Sequence, residues 1–212
     1  MTMVATILSV LSPIFYVLGY LPGLRTMYKE KTTEGIGRYF WELVTLTISY
    51  SYYTLLITNA DLFNITVVAI NLVFAVILLT YKNIIKYSLL KGIVYTLLYF
   101  VVNLSIYFLL GIPISVLQTI ATISIILAYV DQILHFIIYK TAKGTNRNLY
   151  LIIGIGILLL TLSLIINGAY LHVIITEVVN LVLILICYVL AILYSKRDKV
   201  VEYEERIRKL RM

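Results

Sequence analysis

The chain has 212 residues, 62% of them hydrophobic and 13% charged, with a mean hydropathy of +1.01 and a formal net charge of +7. A soluble domain carries about 25% charged residues, so the composition excludes a soluble fold and leaves an all-α integral membrane protein. The 17 Lys/Arg fall into clusters between long apolar runs, which excludes a continuous basic stripe for nucleic acid and points to loops at a membrane surface.

A helix needs roughly 20 apolar residues to cross a bilayer. Seven spans are predicted, at about 3–24, 37–58, 62–81, 92–110, 114–139, 149–167 and 171–194. The first lacks a basic n-region and is expected to be a retained span rather than a cleaved signal. Basic clusters follow spans 1, 3, 5 and 7: Arg25 to Arg38, Lys82 to Lys91, Lys140 to Arg147, and the tail from Lys196. The other connections, Thr58-Asn59-Ala60-Asp61, Gly111-Ile112-Pro113 and Asn167-Gly168-Ala169-Tyr170, are turn residues without a basic side chain. Only an odd number of spans puts every basic loop on one side. The positive-inside rule then predicts the N-terminus outside and the C-terminus in the cytoplasm. Short loops point towards a bacterial cytoplasmic membrane.

Residues 7–82 align without a gap on residues 116–191, an offset of 109. Tyr20 meets Tyr129, Lys31 meets Lys140, Gly35 meets Gly144, Arg38 meets Arg147 and Asn71 meets Asn180. The chain therefore divides into a first three-helix repeat (1–82), a linker helix (83–113), a second repeat (114–194) and a charged tail (195–212). Three spans plus one linker restore the starting orientation, so this 3+1+3 layout makes the repeats parallel, about an axis along the membrane normal. Substrate sites in such transporters lie between the repeats. Asn71 is about nine residues into span 3, about 13 Å deep and near the midplane. Asn180 has the same depth. An amide reads donors and acceptors alike, and facing lipid it would be costly. The plain alternative for a buried Asn is an interhelical hydrogen bond.

The run Leu21-Pro22-Gly23-Leu24-Arg25 to Lys31-Thr32-Thr33-Glu34-Gly35 resembles the PQ-loop motif, and the second repeat has Asp131-Gln132 followed by Lys140-Thr141-Ala142-Lys143-Gly144. Two copies in register with seven spans are similar to the SWEET transporters. The resemblance implies a facilitator of a small polar, sugar-like solute working by alternating access. It implies Asn71 and Asn180 as solute ligands, with Pro22 and Asp131 as hinges. The relatives place a tryptophan near the end of the second helix of each repeat. Here those regions read Ser49-Tyr50-Ser51-Tyr52-Tyr53 and Thr161-Leu162-Ser163, so Tyr53 is the stacking candidate. Tyr20 and Tyr129, next to the hinges, are gate candidates.

Three acids lie within spans, and an acid at membrane depth marks a functional position. Glu177, three residues before Asn180, shares its face. It is a candidate to bind a cationic part of the solute or to carry a proton. Asp131 and His135, four apart, share a face and form a second proton-coupling candidate or a structural bond. Glu42 is expected to snorkel or pair with Arg38. Trp41, the sole tryptophan, reads as an interfacial anchor. Cys187 is alone and cannot form an intrachain disulfide.

No metal-ligand spacing, phosphate loop or paired nucleophile and base occurs, so neither an enzyme nor a cofactor is expected. The expected partners are a small-molecule solute and the lipid bilayer. Homo-oligomerisation is compatible but not required, because one chain carries both repeats. The alternatives are a proton-coupled carrier of an amino acid, vitamin or nucleoside-like solute, and a seven-helix ligand-binding receptor.

Overall fold

An apolar run in a bilayer can satisfy its backbone only as a helix or a closed barrel. The computed structural model describes residues 3–60 and 62–211, with side chains except at 107–110, 172, 210 and 211. Seven helices run through them: α1 (Met3–Glu30), α2 (Phe40–Ile57), α3 (Leu62–Lys86), α4 (Leu89–Leu110), α5 (Ile114–Tyr139), α6 (Arg147–Ile166) and α7 (Leu171–Arg211). Six are long and apolar enough to cross a membrane, as in a multi-pass membrane protein. The exception is α2, where Ser, Thr and Tyr crowd positions 45–54. Of the expected turn at 58–61, Asp61 lies outside the described residues.

Six helices close a ring. α1 packs on α6, α6 on α7, α7 on α5, α5 on α2, α2 on α3, and α3 on α1, while α4 packs on α3 outside the ring. On α4, Leu97, Leu98, Val101 and Val102 are exposed, as side chains whose solvent is lipid would be.

Backbone details recur 109 positions apart. Lys31 (φ 50°) and Lys140 (φ 54°) both end their helices in the left-handed region. Their N–H groups donate to Met27 O and Phe136 O, each at 2.9 Å. Asn59 (φ 49°) and Gly168 (φ 65°) turn the chain at the other end. There the Ala60 and Ala169 N–H groups donate to Leu55 O and Leu164 O, each at 3.0 Å.

The α1–α6 seam is built on small residues, which let helix backbones approach closely. A Cβ on Gly19 would lie 2.4 Å from Ile153 Cγ1, and one on Gly23 2.4 Å from Leu149 Cδ1. Higher on the seam, Ser163 Oγ donates to Ala5 O at 2.9 Å.

Side chains from all four basic clusters, including Arg38, Lys86, Lys140 and Arg197, line one groove at one end of the ring. This is the basic end of the ring; the opposite end carries the turns that lack a basic side chain. Lys82 departs from the surface role expected of its cluster. It is 3% exposed and pairs with Glu42 at 2.6 Å. Its Nζ also donates to Arg38 O at 2.5 Å. Glu42 therefore pairs neither with Arg38 nor with water alone. A neighbouring helix supplies a better-placed cation than the residue four back on its own chain. The charged tail continues α7 as a helix to Arg211, and its Asp198 accepts from Ala142 N at 2.8 Å and from Thr141 Oγ1 at 3.1 Å.

Candidate functional site

Two connected chambers lie inside the ring, both lined by Thr47, Ser51, Ile125, Glu177 and Asn180. The one nearer the turn end, about 330 Å3, is polar, with Thr54 of α2, Gln118 and Thr122 of α5 and Thr176 of α7 in its wall. The one nearer the basic end, about 250 Å3, adds Asn71 and an aromatic floor. The low apolarity of α2 follows from this geometry: Thr47, Ser51 and Thr54 turn into the chambers rather than towards lipid.

Asn71 and Asn180 both face the second chamber. They are 7% and 5% exposed, and the Oδ1 of each is buried without a hydrogen-bond partner. Buried acceptors are rarely left unpaired. An interhelical bond between the two oxygens' own amides, the plain alternative, does not account for them. Glu177 also lines both chambers, with its carboxyl within hydrogen-bonding reach of the Asn180 side chain.

The floor is aromatic. Tyr20, Phe40, Trp41 and Tyr129 line it and are all buried. Phe40 and Trp41 meet edge to face at 4.9 Å, and Tyr20 lies 6.0 Å from Trp41. Trp41 is thus no interfacial anchor: it is 2% exposed, and its Nε1–H has no partner. The chain turns at Gly37 to start α2 inward of the basic end, so the first turn of α2 projects beneath the cavity.

Below the floor the two basic loops meet. Gly35 N donates to Lys143 O at 2.7 Å. A Cβ on Gly35 would lie 2.5 Å from Ala142 C, and one on Gly144 (φ +81°) 2.0 Å from Thr32 O. Glycine at both positions is what lets these loops touch. α5 then clamps the first loop. Gln132, fully buried, donates to Gly35 O at 2.8 Å and accepts from Gly37 N at 2.9 Å. Asp131 Oδ2 accepts from Tyr39 N at 2.9 Å, and His135 Nε2 lies 2.7 Å from Glu34 O. In the other half, Gly144 N donates to Glu30 Oε2 at 2.6 Å, and Asn146 Nδ2 donates to Thr26 Oγ1 at 2.8 Å. This end of the cavity is sealed.

The structure gathers Asn71, Asn180, Glu177, Tyr20 and Tyr129 around one chamber. Asp131 and His135 share a helix face below it, but each binds the first loop, and the His135 ring lies 4.4 Å from that of Tyr139, tilted by 33°. Tyr53 packs with Tyr50, Leu117 and Ala121 beside the chambers rather than lining them. Pro22 is inside α1, which continues through it to Glu30. Sequence reasoning missed the hydroxyl row of α2, Tyr16 and Gln118 in the cavity wall, and Gln132 as the centre of the clamp. The run of Ser, Thr and Tyr in an otherwise apolar chain was the available signal for the first.

No family model, curated protein or solved structure matches the chain.

Proposed function

We propose that the chain is a seven-helix transporter of the PQ-loop/SWEET type that moves a small polar solute by alternating access. The observation that carries this reading is the pair of buried, unpartnered Oδ1 atoms of Asn71 and Asn180, one from each half, facing one cavity. The helices divide as 3+1+3, with α1–α3 and α5–α7 as parallel repeats and α4 as linker. The ring order and the backbone bonds repeated at an offset of 109 support that division.

α2 is the seventh crossing. Its 18 residues at 1.5 Å per residue give about 27 Å against a core of about 30 Å, and its Thr47, Ser51 and Thr54 line the cavity. With the basic end in the cytoplasm, the cavity is sealed inside and extends outward between α2 and α5. Rocking of the two bundles would part the loops at Gly35 and Gly144, next to Pro22 and the Asp131 clamp, and admit the solute to the other side.

The test is counterflow in proteoliposomes loaded with unlabelled solute. Wild-type protein should accumulate label, and Asn71→Ala/Asn180→Ala should not, while eluting as the same monodisperse species. Accumulation undiminished in the double variant would refute the site. Ligand binding without flux would instead indicate a receptor on this fold.

A further inference from the structure

Among the described residues that line the chambers, one side chain is acidic and none is basic: Glu177 lines both, and no Lys, Arg or His lines either. The buried cation Lys82 is committed to Glu42. Symmetry does not ask for an acid here, because the residue 109 positions before Glu177 is Val68, which lines the same chamber. An acid at membrane depth without a basic partner is costly and marks a functional position.

The surroundings narrow the ligand. The Oδ1 atoms of Asn71 and Asn180 are two further acceptors without donors. Phe40, Trp41, Tyr20 and Tyr129 line the same chamber, and the Trp41 Nε1–H is a donor there without a partner. Carboxylate, amide oxygens and aromatic rings together are the chemistry that recognises an ammonium group, by charge-assisted hydrogen bonds and by cation–π attraction. A zwitterion's carboxylate would find no basic side chain there. The two chambers, about 330 and 250 Å3, together fall within the roughly 300–1,000 Å3 usual for small-molecule pockets.

Resting on the transporter reading above, we propose that the solute is a small organic monocation. Its amine sits against Glu177 and the two asparagine oxygens, over the aromatic floor, and its polar remainder reaches the hydroxyls of α2.

The experiment is counterflow of labelled ethanolamine and of labelled choline, with labelled glucose as the neutral comparison. The full-length protein is used in proteoliposomes, with ligand-induced thermal shift measured in parallel. Wild-type protein should accumulate ethanolamine, whose ammonium can donate to these acceptors, in preference to choline, whose quaternary nitrogen has no N–H. Glu177→Gln should lower that accumulation at least tenfold, and Glu177→Asp should retain part of it, which separates loss of charge from loss of folding. Glucose accumulation unaffected by Glu177→Gln would overturn the amine assignment and leave the transporter reading standing. Amine counterflow unaffected by Glu177→Gln would overturn it too. Counterflow retained in Glu177→Gln with loss only of pH-gradient-driven uptake would make Glu177 a proton carrier, overturning it in that direction. An amine-dependent thermal shift abolished by Glu177→Gln, without flux, would support the site and refute transport. Neither shift nor flux with any probe would overturn both.

Discussion

Gly35→Ala tests the seal at the basic end. The added Cβ would meet the Ala142 carbonyl carbon at 2.5 Å and Lys143 N at 2.8 Å. Carbon atoms sit comfortably at about 3.5–4.0 Å, and both obstacles are backbone, so the loops must separate by about 1 Å. The Gly35 N to Lys143 O bond, 2.7 Å, then stretches past hydrogen-bonding range. Losing that bond costs about 1 kcal/mol, and the residual overpacking about 1–3 kcal/mol. At about 1.4 kcal/mol per tenfold, the sum of about 2–4 kcal/mol moves the closed-to-open ratio by roughly 30- to 700-fold. Trp41 is the sole tryptophan and forms the floor above the loops, so its fluorescence reports the gate. The variant should show red-shifted emission and strong iodide quenching, with helix content unchanged by circular dichroism. Emission as blue and as shielded as in wild type would refute the claim that these loops form the seal.

Three further substitutions test the supports of that arrangement. Lys82→Met strands Glu42, 13% exposed, without its partner, and should lower stability by about 3–5 kcal/mol. Thermal unfolding in detergent should show most of that recovered in Lys82→Met/Glu42→Gln. Gln132→Ala leaves Gly35 O and Gly37 N without their clamp, at a cost of about 2 kcal/mol or more; the Trp41 signal should shift as in Gly35→Ala. Asp198→Ala removes the acceptor for Ala142 N and Thr141 Oγ1. Hydrogen exchange should rise at residues 140–146 while protection in α6 holds.

The sequence-level reading reached what depends on pattern and missed what depends on partners. Apolar runs and turn residues located the helices, and Asn71 and Asn180, matched at the offset of 109, line one chamber. Asp131 and His135 do share a face, as their spacing requires. What binds there comes from residues 34–39, about 95 positions away, which no local spacing reveals. Trp41 and Lys82 failed for the same reason. Each has a side chain whose composition suits a membrane surface, and each is buried because a helix distant in sequence packs over it. Span 2 is legible at 37–58 despite the polarity of α2, but the role of Thr47, Ser51 and Thr54 as a cavity wall was missed.

The α1–α6 and α2–α5 seams of the ring are packed differently. Gly156 and Thr47 are 109 positions apart, as are Ser12 and Ala121. On the α1–α6 seam a Cβ at Gly156 would sit 3.0 Å from Ser12 O, so the helices press backbone to side-chain-free backbone. At the equivalent point of the α2–α5 seam, Thr47 Oγ1 donates to Ala121 O at 3.1 Å. A hydroxyl now wedges the helices, and Ser51 and Thr54 continue the row into the polar chamber. Close-packed small residues resist separation because every displaced contact is lost together. A seam of hydroxyls can exchange its bonds for water or for a polar solute at little net cost. On the proposed mechanism, then, the bundles pivot on the glycine seam and part along the hydroxyl seam. The solute would enter between α2 and α5, past Thr54 and Ser51, to reach Glu177 and the asparagine pair.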